Sequence, residues 1–218
     1  MKHLAQDFEL VRLYIEATDF TRVLRWRHLE DQPFRSAKEV GLMKEDNMQH
    51  CAGMIFMGQT IIMTAREEGD SITSALDFET VSMMIFAHDA DEYLTGDVRN
   101  KCGNFRKIEL RARDLVYKRL AKLRIGSDML ACAKDYHDKK LATARFVKAL
   151  DELQAWVYMI QTRGFAETSR NFSNPEEIPG YIYALEFPTL ARLAKILLRF
   201  MRKPSFITTT VQELSIFE

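Results

Sequence analysis

The stretch MMIFAHDADEYLTGD, Met83 to Asp97, decides how the rest of the chain is read. Apolar residues lead directly into a His-Asp pair, then Glu92, then a Gly-Asp. A solvated helix face explains charges, but not charges at the end of so apolar a run. On a helix, His88 and Glu92 lie one turn apart on one face, with Asp89 beside them. An imidazole and two carboxylates from one segment are the beginning of a divalent-metal site, which other segments must complete. The pattern predicts one helix from about Asp77 to Leu94, followed by a loop over GDVRNKCGN.

Outward from this stretch the chain reads as all-α. Only 9 Gly and 5 Pro interrupt 218 residues, so long helical periods run unbroken. Helices are expected over residues 4–18, 47–65, 105–124, 127–139 and 140–163, with 19–46 a loop holding short helical pieces. Met48, Cys51, Ile55, Met57 and Ile61 should form the apolar side of the helix from Asn47, and REEGDS should end it. SNPEE (173–177) is a helix start signal, with Asn174 as cap and Pro175 at the first position. That helix should continue to about Arg202 with a bend at Pro188. The β-branched tail SFITTTVQEL suggests a short strand or an arm. Without a repeat or a convincing linker, 1–218 reads as a single domain: a core over about 5–165 and a helical extension over about 166–218.

Lys+Arg and Asp+Glu number 31 each, so overall charge gives no argument for nucleic acid or for an anionic membrane. The basic run 106–122 reads as a solvated helix face, with nucleic-acid binding as the second reading. Cys51, Cys102 and Cys132 show no CxxC spacing, which fits a reducing cytoplasm. The charged, amphipathic N-terminus does not read as a signal peptide, and no apolar run is long enough for a membrane span. The apolar helix LARLAKILLRFM (190–201) fits either self-association or ordinary core packing.

The second imidazole is expected at His50, in NMQHCAGM, on an otherwise apolar helix. A hydrogen-bonded core histidine is the plainer reading of that position alone. The remaining carboxylate should come from a late helix. Asp151, between Leu150 and Trp156 in a core-forming segment, is the best candidate, because a buried carboxylate is costly unless paired or metal-bound. Asp135 and Asp138 in KDYHDKK are rivals, but that segment reads as a solvated face.

The order His50, His88-Asp89, Asp151 resembles the ligand set of the HD-domain metal-dependent phosphohydrolases. LRWRH (24–28), HDADEYLTGDV (88–98) and VKALDELQAW (147–156) are similar to the 5'-deoxynucleotidase branch and to related phage deoxyadenosine triphosphohydrolases, over roughly residues 5–165. The resemblance implies an all-α helical bundle that holds one divalent ion (Co, Mn, Mg, Ni or Zn) on His50, His88, Asp89 and Asp151. It implies Glu92 as the catalytic acid/base and Asp97 as a second acidic group near the water or the leaving group. Arg25 would contact phosphate or sugar. Trp26 would pack on the nucleoside, or else be a core aromatic. Two departures stand out. Gln49-His50-Cys51 replaces the family's Glu-His-Ser, and Trp26 and His50 lie 24 residues apart, with an insertion between them. Lys101 is expected to contact phosphate, with Arg106 and Lys107 as alternatives.

The implied activity is hydrolysis at the α-phosphate of a 2'-deoxynucleotide. A monophosphate would release deoxynucleoside and phosphate. The alternative substrate, a dNTP such as dATP, would release deoxynucleoside and triphosphate. A non-catalytic HD-fold nucleotide sensor is the reading from a different class. The expected partners are a deoxynucleotide and further copies of the chain, with no membrane or nucleic acid, and the expected location is the cytoplasm.

Overall fold

The computed structural model describes residues 46–95, 104–122, 126–161 and 178–202. Within them lie α1 (Asn47–Glu68), α2 (Ser71–Ser74), α3 (Phe78–His88), α4 (Glu92–Thr95), α5 (Asn104–Leu120), α6 (Gly126–Asp138), α7 (Ala142–Gln161), α8 (Pro179–Ala184) and α9 (Pro188–Arg202). The described residues contain no strand, so the fold is all-α. The helix and loop expected over 4–46, apart from Asp46, and the loop over 96–104, apart from Asn104 which begins α5, lie outside them, as do the SNPEE start signal and the β-branched tail.

Local chemistry sets the helix ends. Asp46 caps α1 by accepting from Gln49 N at 2.8 Å, and Gln49 Oε1 accepts in return from Asp46 N at 3.1 Å. This reciprocal box satisfies two backbone donors and gives Gln49 a structural task. At the far end Gly69 adopts φ 75°, a left-handed conformation that an L side chain resists. Asp77 caps α3 through Thr80 N at 2.9 Å.

Helix α7 is the centre of the bundle, packed against α1, α3, α6, α8 and α9. It supplies Phe146, Leu150, Leu153 and Trp156 to a core that also takes Met54 and Ile62 from α1 and Met84 and Ile85 from α3. Burying each such side chain contributes about 1.5–3 kcal/mol. Trp156 stacks on Tyr181, with ring centroids 5.8 Å apart, and Phe146 meets Phe187 edge-on at 5.1 Å. Helix α8 sits so close to α7 that a Cβ on Gly180 would fall 2.6 Å from Glu152 Cβ, which accounts for glycine there.

Four expectations are corrected. Met48 is exposed, and the buried face of α1 runs through Asn47, His50, Cys51, Met54, Gly58, Ile61, Ile62 and Ala65. The 77–94 segment is two helices, because Asp89 leaves the α3 geometry at φ −108°, ψ 22°. The segment up to Arg202 also divides: α8 ends at Ala184 and Pro188 begins a new helix rather than bending an old one. Lastly, KDYHDKK is not a fully solvated face, since Tyr136 within it is buried. The apolar face of α9 packs inward through Leu190, Ala194, Leu197 and Leu198, so core packing accounts for it.

One carboxylate joins distant parts of the bundle. Asp70 Oδ1 accepts from Ile72 N and Thr73 N at the start of α2, and its Oδ2 accepts from Thr189 N (3.0 Å) and Thr189 Oγ1 (2.8 Å) in the first turn of α9. Arg192 also pairs with Glu68 at this joint. Burial pushes the Asp70 carboxyl up, but the bonds from Thr73 and Thr189 outweigh it and hold the group well below its ordinary value. With the folded pKa depressed, the stabilisation is present above about pH 4, where an unfolded carboxyl titrates, and is lost as the pH falls further. Asp70→Ala is expected to cost about 2 kcal/mol, since two helix starts lose their acceptor together. Thermal unfolding across pH checks this: the gap between variant and parent should shrink in acid.

Candidate metal centre

The break after His88 builds the site. Because the chain leaves the helix at Asp89, consecutive polar residues leave it in different directions. His88 Nε2 lies 2.9 Å from Asp89 Oδ2, Asp91 Oδ2 accepts from Arg113 of α5 at 3.2 Å, and Glu92 Oε2 accepts from Asn47 Nδ2 of α1 at 3.1 Å. A continuous helix would instead have kept His88, Asp91 and Glu92 along one stripe.

Three of the expected ligands converge. His50, His88 and Asp89 each offer a ligand atom, and all three atoms lie within 4.8 Å of one another. The two imidazole rings are 5.5 Å apart. Asp151 joins them from α7: its Oδ1 is 3.3 Å from His50 Nε2 and 3.9 Å from His88 Nε2. Its Oδ2 points away, accepting from Lys148 Nζ at 2.9 Å and Tyr136 OH at 3.3 Å. One oxygen of Asp151 therefore faces the imidazoles while the other is held by the surrounding shell.

Both histidines are fully or almost fully buried, and neither Nε2 completes a hydrogen bond in the described structure. The carboxylates stand close by, Asp89 at 2.9 Å from His88 Nε2 and Asp151 at 3.3 Å from His50 Nε2. Buried polar atoms without a bonded partner are rare. Two of them beside two carboxylates have the chemistry of a borderline-metal donor set. The donor set present therefore fits a divalent ion.

The charges around this point are strongly coupled. Burial opposes a charged His88, yet Asp89 and Asp151 outweigh it and raise the pKa. Burial likewise pushes Asp151 up, and the Lys148 ammonium together with the two imidazoles holds it well below the carboxylate range instead. Tyr136, whose ring meets His88 edge-on at 5.3 Å, is raised by burial and then by Asp151, so it remains a donor. Burial and then Lys148 push Lys139 down to about 7. Its ammonium sits over the Tyr136 ring, 3.1 Å from the centroid.

The remaining expected residues are not brought to this point by the described structure. Arg25, Trp26, Asp97 and Lys101 lie outside the described residues. Arg106 is placed on α5, but its side chain is not among those described. Sequence reasoning missed Gln154, Tyr136, Lys148 and Asn47. The available signal was helical spacing: Gln154 and Lys148 are three residues either side of Asp151, and Asn47 is three before His50.

Residues 45–176 match the family model described as HD domain. Among solved structures, a predicted metal-dependent phosphohydrolase from Magnetospirillum magnetotacticum MS-1 has the same fold, with a TM-score of 0.63 and 17% identity over 92% of this chain and 95% of that one. No curated protein sequence matches the chain.

Proposed function

The chain belongs to the HD-domain family, and from that premise we propose that it is a metal-dependent phosphohydrolase cleaving 2'-deoxynucleotides at the α-phosphate. The observation that carries the metal-dependent part of this reading is the convergence of two buried Nε2 atoms with Asp89 and Asp151, and the deoxynucleotide part rests on the resemblance of LRWRH, HDADEYLTGDV and VKALDELQAW. The similar fold of a predicted metal-dependent phosphohydrolase supports metal-dependent phosphohydrolysis.

His50, His88, Asp89 and Asp151 would hold one divalent ion. Such an ion, when bound, makes water more acidic and offsets phosphate charge. The chain's own groups do the rest. Lys148 and Tyr136 fix Asp151 so that Oδ1 faces the imidazoles. Asn47 steadies Glu92, which would pass a proton to the leaving 5'-oxygen. Asp97, Arg25, Trp26, Lys101 and Arg106 take the roles implied by the family resemblance: water or leaving-group positioning, phosphate and sugar contact, and packing on the nucleoside.

A deoxynucleoside monophosphate is the first-ranked substrate, supported by the TGD segment at 95–97. The triphosphate reading draws support from Lys101, Arg106, Lys107 and Arg111, cations that follow the TGD segment in the sequence. Incubation with Mn²⁺ or Co²⁺ and chromatography of dAMP, dATP and ribonucleotide reactions separates them. Phosphate and deoxyadenosine from dAMP are the expected products. Intact triphosphate from dATP with dAMP untouched would select the second reading, and no hydrolysis with any metal would select a nucleotide sensor.

A further inference from the structure

The two imidazoles are oriented by different devices. His88 Nδ1 lies 2.5 Å from the Ile85 carbonyl one turn back in its own helix. A carbonyl only accepts, so the ring nitrogen donates, and in the neutral ring the lone pair is left on Nε2. Among the described residues the His50 ring has no such backbone partner. Its Nδ1 lies 2.7 Å from Gln154 Oε1, a side chain 104 residues away on α7.

We propose that Gln154 is the positioning residue that holds His50 as its Nδ1–H tautomer and so keeps Nε2 available to a divalent metal. Two acceptors compete for the single proton of the neutral ring. Asp151 Oδ1, 3.3 Å from Nε2, would draw it to the inner nitrogen and produce a ring unable to ligate there. Gln154 Oε1 draws it to the outer nitrogen in a buried hydrogen bond of good length, whereas Nε2 completes none. Gln154 and Asp151 are three residues apart on α7, so one face of one helix delivers both the candidate ligand and the group that prepares its neighbour. The packing around Gln154 suits a fixed side chain: it is buried and lies across α1 at Gly53, where a Cβ would stand 3.4 Å from its Nε2. Partners of this kind commonly set metal affinity as well as ring orientation.

The inference rests on the metal-site reading above, but its test needs neither substrate nor turnover. Two-bond ¹H–¹⁵N spectra of the metal-free protein at alkaline pH read the His50 tautomer directly, and titration with Zn²⁺ against a chelator reads affinity. The parent should show Nδ1–H. Gln154→Leu should show Nε2–H and bind Zn²⁺ about ten- to a hundredfold more weakly. Gln154→Glu keeps an acceptor at the same place and should retain Nδ1–H and at least the parent's affinity. A Leu variant that keeps both the Nδ1–H form and parental affinity overturns the proposal. If the Leu variant does not fold, the Glu variant decides: Nε2–H or affinity about tenfold weaker would also overturn it. A parent that shows Nδ1–H yet hydrolyses no nucleotide removes the phosphohydrolase reading and leaves the tautomer assignment standing.

Discussion

Asp89→Ala is expected to abolish divalent-metal binding and to lower turnover about a thousandfold, because losing a ligand forfeits several kcal/mol of charge stabilisation. Asp89 sits 2.9 Å from His88 Nε2, on the segment where the chain has already left the helix, so its removal empties one side of the donor set without cutting into the core. The fold should therefore survive, and metal titration on a folded variant separates ligand loss from collapse. Asp89→Asn keeps the shape but gives up the charge, and should bind metal only weakly. Turnover in Asp89→Ala equal to that of the parent would sink the assignment of this centre.

Glu92→Gln should have the second-largest effect, a loss of roughly a hundred- to ten-thousandfold in kcat with metal affinity unchanged. Glu92 is outside the three-residue ligand cluster, and its Oε2 is held by Asn47 Nδ2 at 3.1 Å. A glutamine at 92 keeps an oxygen for that bond and loses the charge and the ability to carry a proton. Measuring kcat beside metal affinity distinguishes the roles. A fall in metal affinity matching the fall in kcat would make Glu92 a ligand, and an unchanged kcat would remove it from the chemistry.

The helical architecture was legible because scarce Gly and Pro leave periodicity undisturbed, and α1, α5, α6 and α7 begin or end close to the expected positions. The break at Asp89 was not legible. No Gly or Pro marks it, and the polar residues that follow turn toward Arg113 and Asn47, partners 22 and 45 residues away in sequence. The ligand-like residues stood out because His50 and Asp151 interrupt apolar segments. Their supporting shell did not. Gln154 looks like an ordinary helix residue until His50 is placed opposite it, and Tyr136 is hidden among charges that favour solvent. Periodicity reports which face is apolar. It does not report which distant helix meets that face.

The Asp70 joint bears on the order in which the bundle assembles. Its bond to Thr189 closes a segment of 119 residues. The chain entropy of such a closure must be met before the contact returns any stabilisation. The neighbouring contacts of α1 with α2, by contrast, close locally. The Thr189 half of the joint is thus expected to form on the native side of the folding barrier. Weakening it should leave the folding rate nearly unchanged and quicken unfolding. On this view the carboxylate that joins the ends of the bundle acts chiefly as a latch on its lifetime.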